Sequence, residues 1–469
     1  MSQKIEPKEI YKLYKRGKID KDTALEELFT LIEFGKDINF RFKCLELLGK
    51  FKPLSEETFK ILENLLISDQ SSLIRAAAVK LIIQNFLNEG FIPLKWVIQK
   101  DKSNLVLRII IEELESNFEE NSILLKQELL QRFSRIFHVV PEEAKFFMDL
   151  FVYLANLGEN MDINTNYVYK YKFEEFWPYP FKGAHYEPKI LAVKNSHAIA
   201  LILYSNKGSV IPESIGFLKD LKYLRLSYNS LKNLPRTIRN LKNLKYLNLY
   251  HNNFKKVPSS IFFLKSLRML MLEENNLNSL PHWIGSLNRL RHLDLLNNNL
   301  KLIPKSLFEL AKRKQARKYI FNGVNEDEAP VLGLLELLSG IRLKKLEKDE
   351  DIYHSVEFNP FHFMYHYRIN EMGHITSIYF YFREPYLGVF PQQICSLKYL
   401  EELHLENHSI KYIPDCIGNL TSLKVLDLMD NEIESLPESI KKLRNLERVS
   451  FYANPIKEIP EFLRSKKGL

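Results

Sequence analysis

Cysteine is scarce in this chain. Its 469 residues include three cysteines, Cys44, Cys395 and Cys416, which are far apart and odd in number. Secreted domains that depend on disulfides are dense in paired cysteines, so no disulfide framework is expected here. We interpret Cys395 and Cys416 as free, small core residues. This usage is typical of the cytoplasm, where thiols stay reduced.

Long hydrophobic runs are missing as well. No stretch approaches the roughly 18 apolar residues of a membrane-spanning helix. The N-terminal segment MSQKIEPKE has no apolar signal core. We therefore predict a cytoplasmic protein without a membrane span.

Motifs that carry catalysis are also absent from the sequence. It contains no GxxxxGK[ST] or GxGxxG loop for phosphates, and no GxSxG or HExxH. His362 and His366 have a spacing that suits a metal site on a helix, but the surrounding FHFMYHYR favours a strand, where that spacing does not converge. We predict that the chain is not an enzyme and has no catalytic residue, cofactor, metal site or small-molecule substrate.

A 23-residue repeat dominates residues 201–310. Leucines stand three and five residues before an asparagine, and a proline stands six residues after it, as in Leu247, Leu249, Asn252 and Pro258. The asparagine positions are Asn206, Asn229, Asn252, Asn275 and Asn298. This pattern resembles the leucine-rich repeat family, in its short intracellular type similar to Ras-associated scaffolds.

The resemblance implies a curved solenoid with a parallel sheet on its concave face. Both leucines of each LxL would point into a core that only stacked neighbours can close. The buried asparagine amide would satisfy backbone groups of adjacent coils. The convex side would be irregular or 3₁₀-like. Secreted members usually carry cysteine-rich caps, so the resemblance also favours a cytoplasmic location.

The repeat stops after Pro304 and resumes around four prolines spaced by 23 residues, Pro391, Pro414, Pro437 and Pro460. In this second block the asparagine position is occupied by Pro385, His408, Asn431 and Asn454. The step from Asn298 to Pro385 is 87 residues, which is not a multiple of 23. We interpret this as an internal duplication with two separate arrays; the alternative is one horseshoe with a long insertion.

Residues 1–155 have helical periodicity with a weaker repeat. Arg41, Arg75 and Arg108 stand in similar contexts, and each follows an aspartate-containing turn, at Asp37, Asp69 and Asp101. This arrangement resembles HEAT or armadillo repeats, in which helix pairs stack; the alternative is an ordinary helical bundle.

We therefore predict an α+β repeat protein. An α-helical, HEAT-like N-terminal domain is followed by two leucine-rich repeat solenoids with a helical insert between them. The predicted segments are a helical domain at 1–155, an aromatic linker and cap hairpin at 156–200, repeat block one at 201–310, the helical insert at 311–360, and a cap hairpin with block two at 361–469. The aromatic run YVYKYKFEEFWPYPFKGAHY is expected to cap the open end of the array, although interleaved aromatics and lysines also suit single-stranded nucleic acid.

The outward strand positions of block one are rich in tyrosine and methionine, which are enriched at protein interfaces. They form the predicted protein-binding set: Tyr223, Arg225, Tyr246, Asn248, Tyr250, Met269, Met271, Glu273, His292 and Asp294. The equivalent outward positions of block two include Glu402, His404, Glu406 and Asp427.

A basic rim runs beside this set, formed by Lys222, Lys245, Arg268 and Arg291. Residues 191–310 carry 18 basic and 6 acidic side chains, a net charge of +12, whereas the whole chain carries +9. We predict a scaffold that binds a protein partner with an acidic surface, and a small GTPase or its regulator is one candidate class. The alternatives are a nucleic-acid-associated protein, which the acidic residues on the concave face disfavour, and the regulatory subunit of an enzyme.

Overall fold

The computed structural model describes residues 6–156, 189–203, 210–346, 365–380 and 387–466. The chain forms two compact units. Unit 1 comprises Met1–Lys170 with Val193–His197, and unit 2 comprises Tyr171–Ala192 with Ala198–Leu469. No helix in the described ranges is long and apolar enough to cross a bilayer. The aromatic run at 167–186 and His362 lie outside the described residues.

Unit 1 is helical. Its described residues form α1 Pro7–Lys15, α2 Lys21–Phe34, α3 Ile38–Leu48, α4 Glu56–Ser68, α5 Ser72–Asn85, α6 Phe91–Lys100, α7 Asn104–Glu115, α8 Glu120–Phe137 and α9 Pro141–Asn156. Helices α2 and α3, α4 and α5, and α8 and α9 pack as pairs, while α5 packs between α3 and α7. Side-chain caps begin several of them; the Asp37 carboxylate, for example, accepts a hydrogen bond from the Phe40 backbone N–H.

The arginines and aspartates of the helical repeat join successive helix pairs. Arg41 is hydrogen-bonded to Asp69, and Arg75 donates to both carboxylate oxygens of Asp101, at 2.7 and 3.2 Å. Both aspartates are largely buried, so these pairs are shielded from solvent. Arg108 does not extend the series, because its nearest carboxylate is that of Glu112 on its own helix, at 3.8 Å.

The first sheet has six strands in chain order: β1 Lys189–Lys194, β2 His197–Leu203, β3 Tyr223–Arg225, β4 Tyr246–Asn248, β5 Met269–Met271 and β6 His292–Asp294. The turn between β1 and β2, Asn195–Ser196, has positive φ at both residues, as a tight hairpin turn requires. From β2 to β6 the strands are parallel, and register partners are 23 residues apart. Short 3₁₀ turns cross the other side of the coils, for example at Ser259–Phe263.

The predicted role of the asparagines is confirmed for Asn229, Asn252, Asn275 and Asn298, whereas Asn206 lies outside the described residues. Asn252 donates from Nδ2 to the carbonyls of Leu226 and Leu249, at 2.8 and 3.0 Å. Its Oδ1 accepts from the Leu231 backbone N–H at 2.9 Å. Asn252 is 6% exposed, so each of these backbone groups would lack water as a substitute partner.

The sequence of the insert predicts two helices, at 307–320 and 326–347, but the described residues form three. These are α10 Lys305–Lys314, α11 Ala316–Phe321 and α12 Ala329–Ser339, and Gln315 separates α10 from α11. Helix α12 stops earlier than predicted because Gly340 has a φ of 73°, the left-handed conformation that ends many helices. The chain then enters a strand.

The second sheet has the order β12-β11-β10-β9-β8-β7. Its strands are β7 Lys344–Lys345, β8 Tyr365–Ile369, β9 Ile375–Phe380, β10 Glu402–Leu405, β11 Val425–Asp427 and β12 Arg448–Ser450, and a short helix α13 Glu461–Arg464 follows. Strands β8 and β9 form the predicted antiparallel hairpin around Gly373. Strand β6 ends the first sheet and β9 belongs to the second.

The coils of β6 and β9 nevertheless touch on the turn side. Gln392 donates to the Ile303 carbonyl at 2.7 Å and accepts from the Ile303 N–H at 3.1 Å. Gly388 has a φ of 68°, and a Cβ there would lie 2.7 Å from the Leu295 carbonyl oxygen. Helix α12 packs against β6 at the edge of the first sheet. The sheets are therefore separate while the neighbouring turns are in contact.

His408 takes the asparagine position in β10's coil with different chemistry. Its Nε2 lies 2.9 Å from the Phe380 carbonyl oxygen, and its Nδ1 is buried without a hydrogen-bond partner in the described part of the chain. The residue one repeat earlier is Pro385, which has no N–H to donate. Burial lowers the pKa of His408 to about 4, although the Phe380 carbonyl acts in the opposite direction.

The cysteine prediction is wrong. Cys395 and Cys416, on adjacent coils of block two, form a disulfide with Cα atoms 5.6 Å apart. The two cysteines are 21 residues apart, two short of a repeat, so they belong to no local cysteine motif and do not occupy equivalent positions of the repeat. Cys44 is a free, buried thiol on α3, and burial raises its pKa to about 11.

Asn252→Ala should destabilise block one more than His408→Ala destabilises block two. Removing the amide leaves several buried backbone groups unpaired, each at a cost of about 1–3 kcal/mol. His408→Ala removes the partner of one such group, the Phe380 carbonyl. Urea unfolding of both variants tests this difference. Equal losses of unfolding free energy would show that the asparagines add nothing beyond packing.

Acid should destabilise the protein through His408. The pKa of His408 is about 4 in the folded chain, against about 6.5 in an unfolded one. The unfolded state therefore binds the extra proton first, so stability falls as the pH drops from about 6.5 to 4 and then levels off, by about 3 kcal/mol in total from this group. The wild type should lose more unfolding free energy than His408→Asn between pH 7 and pH 4; parallel losses would contradict the assignment.

Thiol counting should find one reactive cysteine per chain after unfolding without reductant, because two of the three cysteines are paired. In the native protein Cys44 should resist alkylation at mildly alkaline pH, since its thiolate is disfavoured by burial. Cys44→Ser is the control and should leave no free thiol. Three reactive thiols in the unreduced, unfolded wild type would contradict the disulfide.

Candidate protein-binding surface

The strand register of block one turns residues far apart in sequence into two rows on one face. The first row is Tyr223, Tyr246, Met269 and His292, and the second is Arg225, Asn248, Met271 and Asp294. The leucines between them, such as Leu247 and Leu270, are at most 1% exposed and point into the core. This alternation follows from the two-residue period of a strand.

Tyrosine and methionine form a continuous part of this face. Tyr223 and Tyr246 stack with ring centroids 4.7 Å apart and planes inclined by 7°. The Tyr228 hydroxyl donates to the Tyr250 hydroxyl at 3.0 Å, and the two rings meet edge to face. We call Tyr223, Tyr246, Tyr250, Met269 and Met271 the tyrosine–methionine surface; all five are half-buried.

The Tyr250 hydroxyl keeps its proton. Burial is the main cause that raises the pKa of Tyr250, and the hydrogen bond from Tyr228 and the Glu274 carboxylate add to it. Asn248 fixes the backbone at this point, because its Oδ1 accepts from the Tyr250 N–H at 2.9 Å. Tyr250 therefore offers a neutral hydroxyl on a well-held ring, which suits an interface residue with one apolar and one polar end.

Three members of the predicted binding set are not accessible. Asn248, His292 and Asp294 are 9%, 5% and 7% exposed. Gly340, at the end of α12, covers His292 so closely that a Cβ there would lie 3.0 Å from the imidazole. The expectation that these side chains are open to a partner is thus not met. For His292 and Asp294, on the edge strand β6, the sequence does not show that α12 packs against that strand, whereas Asn248 is hydrogen-bonded to the neighbouring Met271. Arg225 and Glu273 remain half-buried at the surface.

The basic rim lies along the same strands. Lys245 N–H donates to the Lys222 carbonyl, Arg268 N–H to that of Lys245, and Arg291 N–H to that of Arg268, so the four residues form one column. At the end of the column is a cavity of about 500 Å³. Its lining adds Arg289, Lys314 and Lys318 to Arg268 and Arg291, together with Glu336, which pairs with Lys318. The insert helices build this cavity, so the repeat pattern alone did not predict it.

Block two presents an acidic and imidazole cluster on the corresponding face. His404 is the register partner of Tyr379 on one side and of Asp427 on the other. Its ring stacks on Tyr379 at 5.0 Å, and its Nδ1 lies 3.9 Å from Asp427 Oδ2. Burial lowers the pKa of His404, while Asp427 acts against that shift.

Glu406 completes this cluster. Burial and a hydrogen bond with Asp427 raise the pKa of Glu406 to about 8. His404, Glu406 and Asp427 each bring one donor atom within 4.8 Å of the others, close enough to hold a metal ion. All three had been placed among the outward positions of block two, but no metal site was predicted, because Asp427 lies one repeat away from His404 and no local motif joins them.

Two segments of the chain match protein families. Residues 193–377 match a family described as a leucine-rich repeat region, and residues 422–443 match the leucine-rich repeat itself. Among curated proteins, no relative matches this chain.

Two solved structures are similar in part. A leucine-rich repeat protein of Leptospira interrogans is 28% identical over 55% of this chain and 67% of its own, with a TM-score of 0.28. The crystal structure of PEPR1-AtPEP1 is 20% identical over 56% of this chain, with a TM-score of 0.23, and the matched region spans 43% of that protein. At these TM-scores neither likeness bears on the architecture.

The family matches fall in both blocks in which the structure shows parallel strands and 3₁₀ turns, and in block two they reach residue 377 and span 422–443. Leucine-rich repeat sequences are therefore present within residues 193–377 and 422–443, and the first of these ranges also includes the helices of the insert.

Proposed function

We propose that this protein is a non-enzymatic scaffold that binds another protein on the tyrosine–methionine surface of block one. The observation that carries the proposal is the stacked pair Tyr223 and Tyr246, continuous with half-exposed methionines on the next strand. A few large amphipathic side chains at the centre of an interface usually supply most of its binding energy. Leucine-rich repeats commonly mediate protein–protein interaction, which supports the same function.

The partner is proposed to have an acidic surface. The basic rim borders the tyrosine–methionine surface, and residues 191–310 carry a net charge of +12, from 18 basic and 6 acidic side chains. Such a charge steers an acidic partner at long range and raises its association rate. A small GTPase or its regulator is a candidate class, suggested by the resemblance of the repeats to Ras-associated scaffolds.

Finer features of the architecture are part of this proposal. A HEAT-like identity for unit 1 is supported by the paired helices and by the bonds Arg41–Asp69 and Arg75–Asp101, which link one pair to the next. Two solenoids, one for each block, are supported by the two separate sheets, of which the first ends at β6 and the second comprises β7 to β12.

A cytoplasmic location was predicted from the sparse cysteines. The disulfide between Cys395 and Cys416 counts against that argument, because disulfides persist mainly in oxidising compartments. The thiol count described above therefore also tests the premise of the cytoplasmic prediction.

Nucleic-acid binding and service as an enzyme's regulatory subunit are less well supported. Glu273 and Glu274 lie beside Met271 on the concave side, where they would repel a phosphate backbone. Treating cell extracts with nuclease before capture of the partner separates the first alternative from protein binding.

Tyr250→Ala should speed dissociation of the partner, whereas Lys222→Glu with Lys245→Glu should slow association. The tyrosine contributes short-range contact, often about 2 kcal/mol or more, and the rim acts through long-range attraction, which salt screens. The partner is first identified by capture on the purified full chain and then measured by surface kinetics at low and high salt.

Two matched controls show whether an effect comes from the location of a substitution or merely from the change of charge or the loss of a tyrosine ring. Lys232→Glu with Lys255→Glu makes the same charge change on exposed turns of adjacent coils, and Tyr452→Ala removes a tyrosine that is 74% exposed in block two. The controls should leave both rate constants near wild type. If all four variants bind like wild type, the tyrosine–methionine surface is not the interface.

A further inference from the structure

The concave face of block two holds three possible metal ligands from two adjacent coils. His404 and Asp427 are direct register partners on β10 and β11. Glu406 follows His404 by two residues and so stands on the same face of the chain. Their arrangement depends on the repeat register, which holds neighbouring strands about 4.8 Å apart.

The donor atoms are close together and partly shielded from water. His404 Nδ1 lies 3.9 Å from Asp427 Oδ2, and one donor atom from each of the three residues lies within 4.8 Å of the others. His404 and Glu406 are 3% and 7% exposed, whereas the Asp427 side chain is 23% exposed and leaves an approach from solvent. Ligands about 2.0–2.2 Å from a tetrahedral metal stand roughly 3.4 Å from one another, so modest side-chain rotation closes the site.

Neighbouring residues hold the imidazole in place. Tyr379, on β9, stacks on the His404 ring at 5.0 Å. The Tyr379 hydroxyl is in turn hydrogen-bonded to Glu402, on the strand of His404. A ligand whose ring plane is already fixed loses little freedom when it binds a metal.

We propose that His404, Glu406 and Asp427 bind a divalent transition-metal cation, with Zn²⁺ as its best representative. An imidazole nitrogen with two carboxylates suits zinc better than calcium or magnesium, which prefer oxygen ligands alone. The cation also offsets the repulsion between two carboxylates that lie side by side in a largely buried position. Water fills the fourth position on the open side. This site does not depend on the proposed partner surface of block one.

The experiment is a Zn²⁺ titration of the full-length chain by calorimetry, after treatment with a chelator and its removal. One Zn²⁺ per chain is expected. Loss of a residue that only supports a metal ligand weakens metal affinity by roughly 10- to 100-fold. A larger loss of Zn²⁺ affinity is expected for each of the three ligand variants, His404→Ala, Glu406→Gln and Asp427→Asn. The last two substitutions preserve shape, so they test the site even if His404→Ala unfolds block two.

Two controls distinguish this site from nonspecific Zn²⁺ binding elsewhere on the chain. His251, whose Nδ1 lies 2.6 Å from Glu274, is a solvent-exposed histidine–carboxylate pair of block one, and the described residues group no third ligand with it. His251→Ala should therefore bind Zn²⁺ like wild type. Titration with Co²⁺ should give visible bands of nitrogen and oxygen ligands without the intense near-ultraviolet band of a cobalt thiolate, which would reveal binding by cysteines. Zn²⁺ affinity that is absent, or that is unchanged in all three ligand variants, overturns the proposal.

Discussion

The arrangement of the repeats depends on a backbone problem that one side chain per coil solves. Each coil leaves its strand through a buried turn, and the peptide groups of that turn cannot all pair with one another. Asn252 satisfies groups of its own coil and of the coil before it at the same time. Because Asn229, Asn275 and Asn298 bond across coils in the same way, the spacing of 23 residues is fixed at every step of block one. The rows of the concave face follow from that spacing.

This constraint explains why the chemistry of the surface is distributed. Residues such as Tyr223 and Tyr246, or His404 and Asp427, meet because the register aligns them. A helical or loop-based site would instead draw its groups from a few consecutive positions. Motif searches that look along the chain therefore find nothing here, whereas alignment of one coil under the next brings the same residues together.

Much of the repeat architecture could be predicted from the sequence, since local signals determine it. The LxL strands, the buried asparagines and the hairpin around Gly373 all leave a pattern within one coil. The errors concern contacts between coils or beyond the repeat. The sequence does not reveal that α12 covers His292, and a spacing two residues short of a repeat concealed the disulfide of Cys395 and Cys416. The candidate metal ligands were visible as outward positions, but their closeness depends on side-chain directions that a sequence pattern does not specify.

The contact between Gln392 and the backbone of Ile303 links the turns of two blocks whose sheets are separate. In a linear array each coil is stabilised by its nearest neighbours, so a break between two coils divides the array into independently melting parts. Here the sheet is interrupted between β6 and β9, but the turns of the two neighbouring coils remain in contact. At this contact the side-chain amide of Gln392 takes the place of a backbone peptide group, because it bonds to both the N–H and the carbonyl of Ile303. Cooperativity can thus pass from one block to the other along the turns. The insert can therefore interrupt the concave face while the two blocks still unfold together.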